Sequence, residues 1–232
     1  MEDNFHFCKG CSCTETSIFS SLSPVDLDSI DQNKSINTYK KGDVLYREGN
    51  RISGCYCVNS GILKIYKTGL DGKEQIIAFA QKGDITGYRS VISNETACTT
   101  AEVIEDASIC FIPASIMFSL VKKNSDFALS LMKITCKELD QANSYIKDIA
   151  QKTVRERLAE VLLMLEDTFG KDNDGSLTIS LTRAELSNIV GTATESVIRL
   201  LSDLKNEKVI SITGKKIKIL NRNELNKISN AY

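Results

Sequence analysis

The sequence predicts an α+β chain: an all-β first half, one long central helix, and two short helices followed by a hairpin at the end. Three observations predict it. Short apolar stretches broken by glycine run from Ile36 to Ile112, neither glycine nor proline occurs between Ser125 and Arg157, and Gly191 separates two short helical patterns.

In the first segment, glycines at 42, 49, 61, 72, 83 and 87 punctuate stretches such as Val44-Leu45-Tyr46, Ile62-Leu63-Lys64-Ile65-Tyr66 and Ile76-Ile77-Ala78-Phe79. Asp71-Gly72 between the last two is a hairpin signal. Many short strands at this spacing predict a β-roll or jelly-roll sandwich.

After Pro113 the pattern turns helical. Met132, Leu139 and Ile146 recur every seven residues, as do Thr135, Ala142 and Ile149. A seam of this length meets a partner helix, which predicts a homodimer; the alternative is a helix packed on its own domain. A second helix over about Val154 to Phe169 leads into the Gly/Asn/Asp-rich turn 170–175 and a short strand over Leu177–Leu181.

Thr182-Arg183-Ala184-Glu185 has the form of a capping box, a hydroxyl N-cap with Glu three positions later. The helix it opens carries Leu186, Ile189 and Val190 on one face. Gly191 interrupts it, and a second helix begins near Thr194, which is a helix-turn-helix pattern. Val197, Leu200, Leu201 and Leu204 form that helix's apolar stripe, leaving Thr194, Glu195, Ile198 and Arg199 on the outward N-terminal side. Arginine suits guanine O6 and N7, and glutamate accepts from cytosine N4. The bland alternative is an i,i+4 ion pair between Glu195 and Arg199. Val209 to Ile212 and Ile217 to Leu220 then flank a basic turn with Lys215 and Lys216, a wing suited to phosphates.

Charge agrees with that reading. Residues 182–232 hold nine Lys/Arg against five acids, a net +4 in a chain whose overall charge is −1. A single histidine, His6, argues against a cupin-like metalloenzyme and against histidine-ligated haem, leaving Cys or Met as the alternative haem ligands. The longest apolar runs, such as Val161 to Leu165, are far below the ~20 residues that cross a bilayer. With an acidic start and no apolar leader, a cytoplasmic protein without a membrane partner is expected. The eight cysteines are then expected to be thiols or metal ligands rather than disulfides.

Over nearly its whole length the chain resembles the Crp/Fnr family of bacterial regulators. The resemblance rests on 41–49 (Lys-Gly-Asp-Val-Leu-Tyr-Arg-Glu-Gly), 61–66 (Gly-Ile-Leu-Lys-Ile-Tyr), 82–87 (Lys-Gly-Asp-Ile-Thr-Gly) and the block from Leu181 to Leu201. It implies a Cys-containing segment 1–20, a cyclic-nucleotide-binding-like sensor β-roll (a double-stranded β-helix) over 21–124, a dimerisation helix over 125–152 and a winged helix-turn-helix over 153–232. It also implies a transcription regulator that reads a roughly palindromic DNA site as a homodimer and works with RNA polymerase. The DNA-facing set is then Arg183, Thr192, Thr194, Glu195, Ser196, Ile198, Arg199, Lys215 and Lys216. Glu195 and Arg199 match the family's base-reading pair, Thr192 and Thr194 are candidate phosphate contacts, and Ile198 departs from the family's Ser or Gly. That departure leaves, as a remote alternative, a dimer without DNA activity.

The implied effector divides the family. Cyclic-nucleotide-binding members carry Gly-Glu followed by Arg-Ser or Arg-Thr. Here Tyr88 follows Gly87, and Ala97-Cys98-Thr99 stands near the Arg position, which argues against cyclic AMP. The other branch holds a [4Fe–4S] cluster on cysteines. Cys8, Cys11, Cys13 and Cys110 are the matching thiols, although that branch's third N-terminal cysteine lies where this chain has Ser17. A zinc site, a thiol redox switch, another small-molecule input or no site at all are the alternatives.

Overall fold

The computed structural model describes Cys8, Cys11 and residues 17–229, which divide into two compact units, Met1–Asp140 and Gln141–Tyr232. In the first unit a 3-10 turn, Ile18–Ser21, precedes helix α1, Pro24–Asn33. Proline at the first turn of α1 loses no hydrogen bond, and the Ser23 hydroxyl accepts from the Asp26 amide.

Six strands follow: β1 (Ser35–Tyr39), β2 (Val44–Tyr46), β3 (Gly54–Thr68), β4 (Glu74–Ala80), β5 (Ile85–Thr86) and β6 (Thr100–Pro113). They form one antiparallel sheet in the order β1-β6-β3-β4, with β2 on β6 and β5 on β3. The long β3–β6 ladder is its spine and pairs Gly54 with Pro113 and Cys57 with Cys110. Register shifts near Ser60 and Ile62 bend it, and Gly61 is required there. Its φ is +86°, and a Cβ would lie 2.5 Å from the Asp106 carbonyl oxygen. The Asp71-Gly72 signal becomes the β3–β4 connection, a loop over 69–73 closed by the Gly69 amide on the Lys73 carbonyl.

Two apolar clusters fill this unit. Tyr46, Val58, Leu63, Ile65 and Val103 pack in one. Helix α2 (Tyr88–Ser93), helix α3 (Ala114–Lys123), α1 and the start of helix α4 (Ser125–Gln151) contribute the other, against Cys55, Cys57, Cys110 and Ile112.

Although no Gly or Pro lies between Ser125 and Arg157, α4 stops at Gln151 and helix α5 spans Val154–Phe169, the bounds expected for the second helix. The break is chemical. The Thr153 hydroxyl accepts from the Glu156 amide at 3.3 Å, and the Glu156 carboxylate accepts from the Thr153 amide at 2.6 Å. This capping box starts a new helix without a breaker residue.

The second unit adds helices α6 (Arg183–Val190) and α7 (Thr194–Asn206), strands β7 (Ile210–Thr213) and β8 (Lys216–Ile219), and helix α8 (Arg222–Ser229). The strand expected at Leu177–Leu181 does not form. Leu177, Ile179 and Leu181 are buried in alternation, yet the stretch makes one isolated bridge, Lys171 to Leu177, and one bond from the Leu177 amide to the Ile217 carbonyl. No helix among the described residues is long and apolar enough to cross a membrane.

Thr153→Ala removes the hydroxyl half of the box that separates α4 from α5. Urea unfolding of the full chain is expected to show a loss of about 1 kcal/mol; an unchanged midpoint would mean that the box is dispensable.

Candidate nucleic-acid interface

Helix α6 begins with the capping box read from sequence. The Thr182 hydroxyl accepts from the Glu185 amide at 3.1 Å, and the Glu185 carboxylate accepts from the Thr182 amide at 2.7 Å. It ends at Gly191, whose left-handed φ of 72° lets its amide reach the Ser187 carbonyl. Helix α7 starts at Thr194 after Ala193, which offers no side-chain cap. The turn is fastened instead by the Ser187 and Thr194 hydroxyls, 3.0 Å apart. Thr194 therefore contributes to the turn itself, and half-buried Thr192 donates its amide to the Ser187 carbonyl.

Two arginines of α5, not anticipated from sequence, hold this pair of helices. Arg157 donates Nη1 to the Lys152 carbonyl at 2.8 Å and Nε to the Val190 carbonyl, the last of α6, at 3.1 Å. Arg155 reaches Glu207, just past the end of α7, at 2.5 Å. Val197, Leu201 and Leu204 bury one face of α7, while Leu200 is only half-buried. Glu195, Ile198 and Arg199 are left exposed, and Ser196 is partly so. Glu195 and Arg199 form no ion pair with each other among the described residues, so the bland alternative for these two is not realised.

The wing is less free than its lysine count suggests. Arg183 donates Nη2 to the Gly214 carbonyl at the wing turn, 3.1 Å away, and so braces the hairpin. Its Nη1 is buried without a hydrogen bond, and burial lowers its pKa from the usual guanidinium value. Lys216 is 2.6 Å from Asp172, whose carboxyl it holds below the usual range. Lys218 donates to the Asp174 carbonyl at 2.8 Å. Lys215 is exposed at the turn.

Along α4, Met132 (57% exposed) and Leu139 (62%) stand out in the first unit, Ile146 (66%) and Ile149 (43%) in the second. Ala142 and Thr135 are exposed as well, the Thr135 hydroxyl donating to the Leu131 carbonyl.

In the first unit, Tyr88 is buried with its hydroxyl 3.5 Å from that of Thr135, and Ala97 is buried. The Cys98 carbonyl accepts from Lys67, and Tyr46 and Thr86 share a short hydroxyl contact. Cys13 and His6 lie outside the described residues. The Cys8 amide binds the Asp31 carboxylate at 2.9 Å, and its thiol lies 3.1 Å from the Lys34 ammonium, itself 2.6 Å from Asp31. Burial pushes the Cys8 thiol up to about 12. Cys110 is buried and likewise raised, chiefly by desolvation, with Lys34 and Cys11 acting on it electrostatically. Cys11 faces Asn59 Oδ1 at 3.8 Å. The Cys8 thiol thus meets an ammonium–carboxylate pair whose charges also act on Cys110, and no three Cys, His, Asp or Glu side chains among the described residues converge as metal ligands. A cubane takes thiolates; burial disfavours the thiolate at Cys8 and Cys110, and Cys13, the remaining member of the expected set, lies outside the described residues.

Comparison with known proteins follows the same division. A model of the cyclic nucleotide-binding domain matches residues 36–124, and one of the Crp-like helix-turn-helix domain matches residues 156–228. The chain is 28% identical to the fumarate and nitrate reduction regulatory protein of Vibrio cholerae over 94% of this chain and 88% of that protein. It is 29% identical to the transcriptional activator protein Anr of Pseudomonas aeruginosa over 94% of this chain and 90% of that one. Among solved structures, FixK2 from Bradyrhizobium japonicum aligns at a TM-score of 0.76 with 26% identity, covering 86% of this chain and 98% of that one.

A thiol held near 12 is protonated at neutral pH, so alkylation of Cys8 should be slow and should rise about tenfold per pH unit between pH 7 and 10 without a plateau. Pulsed iodoacetamide labelling with peptide mass mapping reads this. A plateau near pH 9, the behaviour of an ordinary thiol, would mean that the Asp31–Lys34–Cys8 arrangement is not formed.

Proposed function

The chain belongs to the Crp/Fnr family of DNA-binding transcription regulators, and from this premise we propose that it acts in the cytoplasm as a homodimer reading a two-fold symmetric DNA site. It is a regulator rather than an enzyme, as its relatives are. One observation carries the DNA reading. Glu195 and Arg199 project from the solvent face of α7 without pairing to each other, while the opposite face is buried. Charged side chains left so at the start of a recognition helix are placed to meet base edges. Lys215, at the tip of the wing, supplies a phosphate contact, and Arg183 sets the wing's position from behind.

The homodimer is supported by the apolar seam of α4. Leu139 and Ile146 lie one heptad apart and are each more than half exposed in the single chain. Pairing with a second copy removes that surface from water, at about 25 cal/mol for each Å² buried. Two chains so paired present two α7 helices to one duplex, with RNA polymerase as the further partner.

Cyclic AMP is not the effector we propose. By the resemblance, Tyr88 follows Gly87 where the family's acidic anchor stands and Ala97 lies near the place of its arginine; both are buried and neither can pair with a ribose or phosphate as those anchors do.

Arg199→Ala should preserve the dimer and weaken binding to a selected specific duplex by about 1–3 kcal/mol, with little change on random-sequence DNA. Equal loss on both, or no loss, would remove Arg199 from base reading. Leu139→Glu should yield folded monomers by sedimentation velocity; a persistent dimer would place the interface elsewhere.

A further inference from the structure

We propose that Ile198 reads the 5-methyl group of a thymine within each half-site, making this residue a specificity determinant. The proposal rests on the DNA-binding reading of α7 and deepens it. Among the exposed residues of α7, namely Glu195, Ile198, Arg199, Ser202, Lys205 and Asn206, Ile198 is the one apolar side chain. An isolated exposed isoleucine on a protein surface needs no explanation. This one stands one helical turn after Glu195 and directly before Arg199, the two charged groups aimed outward, and it is 51% exposed.

Chemistry narrows what such a side chain can meet in a major groove. It offers neither donor nor acceptor, so it gains nothing from guanine O6, adenine N6 or cytosine N4. Pressed against any of these, it would strip the base edge of water and return no hydrogen bond. Thymine alone presents an apolar group there, its C5-methyl. The β-branch restricts Ile198 to one dominant χ1 rotamer in a helix, so its methyl surface is already ordered before DNA arrives. Serine or glycine at this position would lack that surface. The neighbouring charges fix register, and Ile198 adds shape recognition at an A·T pair beside those they contact.

The test begins with selection of binding sites from a randomised duplex library by the full-length wild-type protein. Each thymine of the enriched half-site is then replaced by uracil, which keeps the base pairing and removes only the methyl. Affinities are measured for wild type, Ile198→Val and Ile198→Ser. At one thymine, uracil should cost wild type about fourfold per half-site, the equivalent of about 0.8 kcal/mol for one buried methyl. Ile198→Val should keep most of that discrimination and Ile198→Ser should lose it. An enriched site indifferent to uracil at every thymine, or a uracil penalty unchanged in Ile198→Ser, would overturn the proposal while leaving DNA binding intact. Failure to enrich any sequence would overturn the DNA-binding reading and this proposal with it.

Discussion

The geometry of the recognition helix depends on the half-buried guanidinium of Arg157. Its two hydrogen bonds go to carbonyls that helix geometry leaves orphaned: Lys152, just past the end of α4, and Val190, the last residue of α6. A cation at a helix C-terminus is favoured by the helix dipole, and hydrogen bonds from a charged donor are worth about 1.5–3 kcal/mol each. The Arg155–Glu207 pair is partly exposed and belongs to a weaker class, about 0–1 kcal/mol. Arg157 is therefore the stronger link. Through it the start of α5, the end of α6 and the Gly191 turn that aims α7 are set by one rigid, planar group. Lysine, a single point donor, could not span both carbonyls.

The same economy governs charge. Counting residues gives the last fifty positions a net +4, yet much of that positive charge is committed inside the unit. Arg222 pairs with Glu166 and Asp167, Lys216 with Asp172, and Lys227 with Glu224, while Lys218 and Arg183 serve backbone carbonyls. Arg199, Lys205, Lys208 and Lys215 form no side-chain ion pair among the described residues. The electrostatic footprint is consequently narrower than composition suggests. It is concentrated on the outward face of α7, the turn that follows it and the tip of the wing.

Much of this architecture was legible because its signals are local. The Thr182/Glu185 box, Gly191 and the Val197/Leu201/Leu204 spacing each act over a few residues, and each appears where the sequence puts it. Two further local signals mark helix starts: Thr153-x-x-Glu156 opens α5 at Val154 with no Gly or Pro before it, and Asn221 Oδ1 caps α8 by accepting from the Glu224 amide. What could not be read were contacts between distant positions. Arg157 with Val190 and Lys216 with Asp172 depend on the completed fold, and no periodicity reports them. Leu177–Leu181 shows a related limit. Alternation correctly marks its buried side chains, but a strand also needs a partner with free hydrogen-bonding groups, and only one bridge is made.

The cysteines carry that distinction further, because a ligand set is defined by ionisation as well as by count. Cys8 and Cys110 both feel the charges of Lys34 and Asp31, and Cys11 acts on Cys110. Burial opposes thiolate formation at both Cys8 and Cys110, while the Lys34 ammonium favours it. At Cys8 the Asp31 carboxylate opposes it too, and the raised pKa records that burial and Asp31 together outweigh the lysine. At Cys8 the Lys34–Asp31 pair, together with burial, therefore governs the ionisation of the thiol.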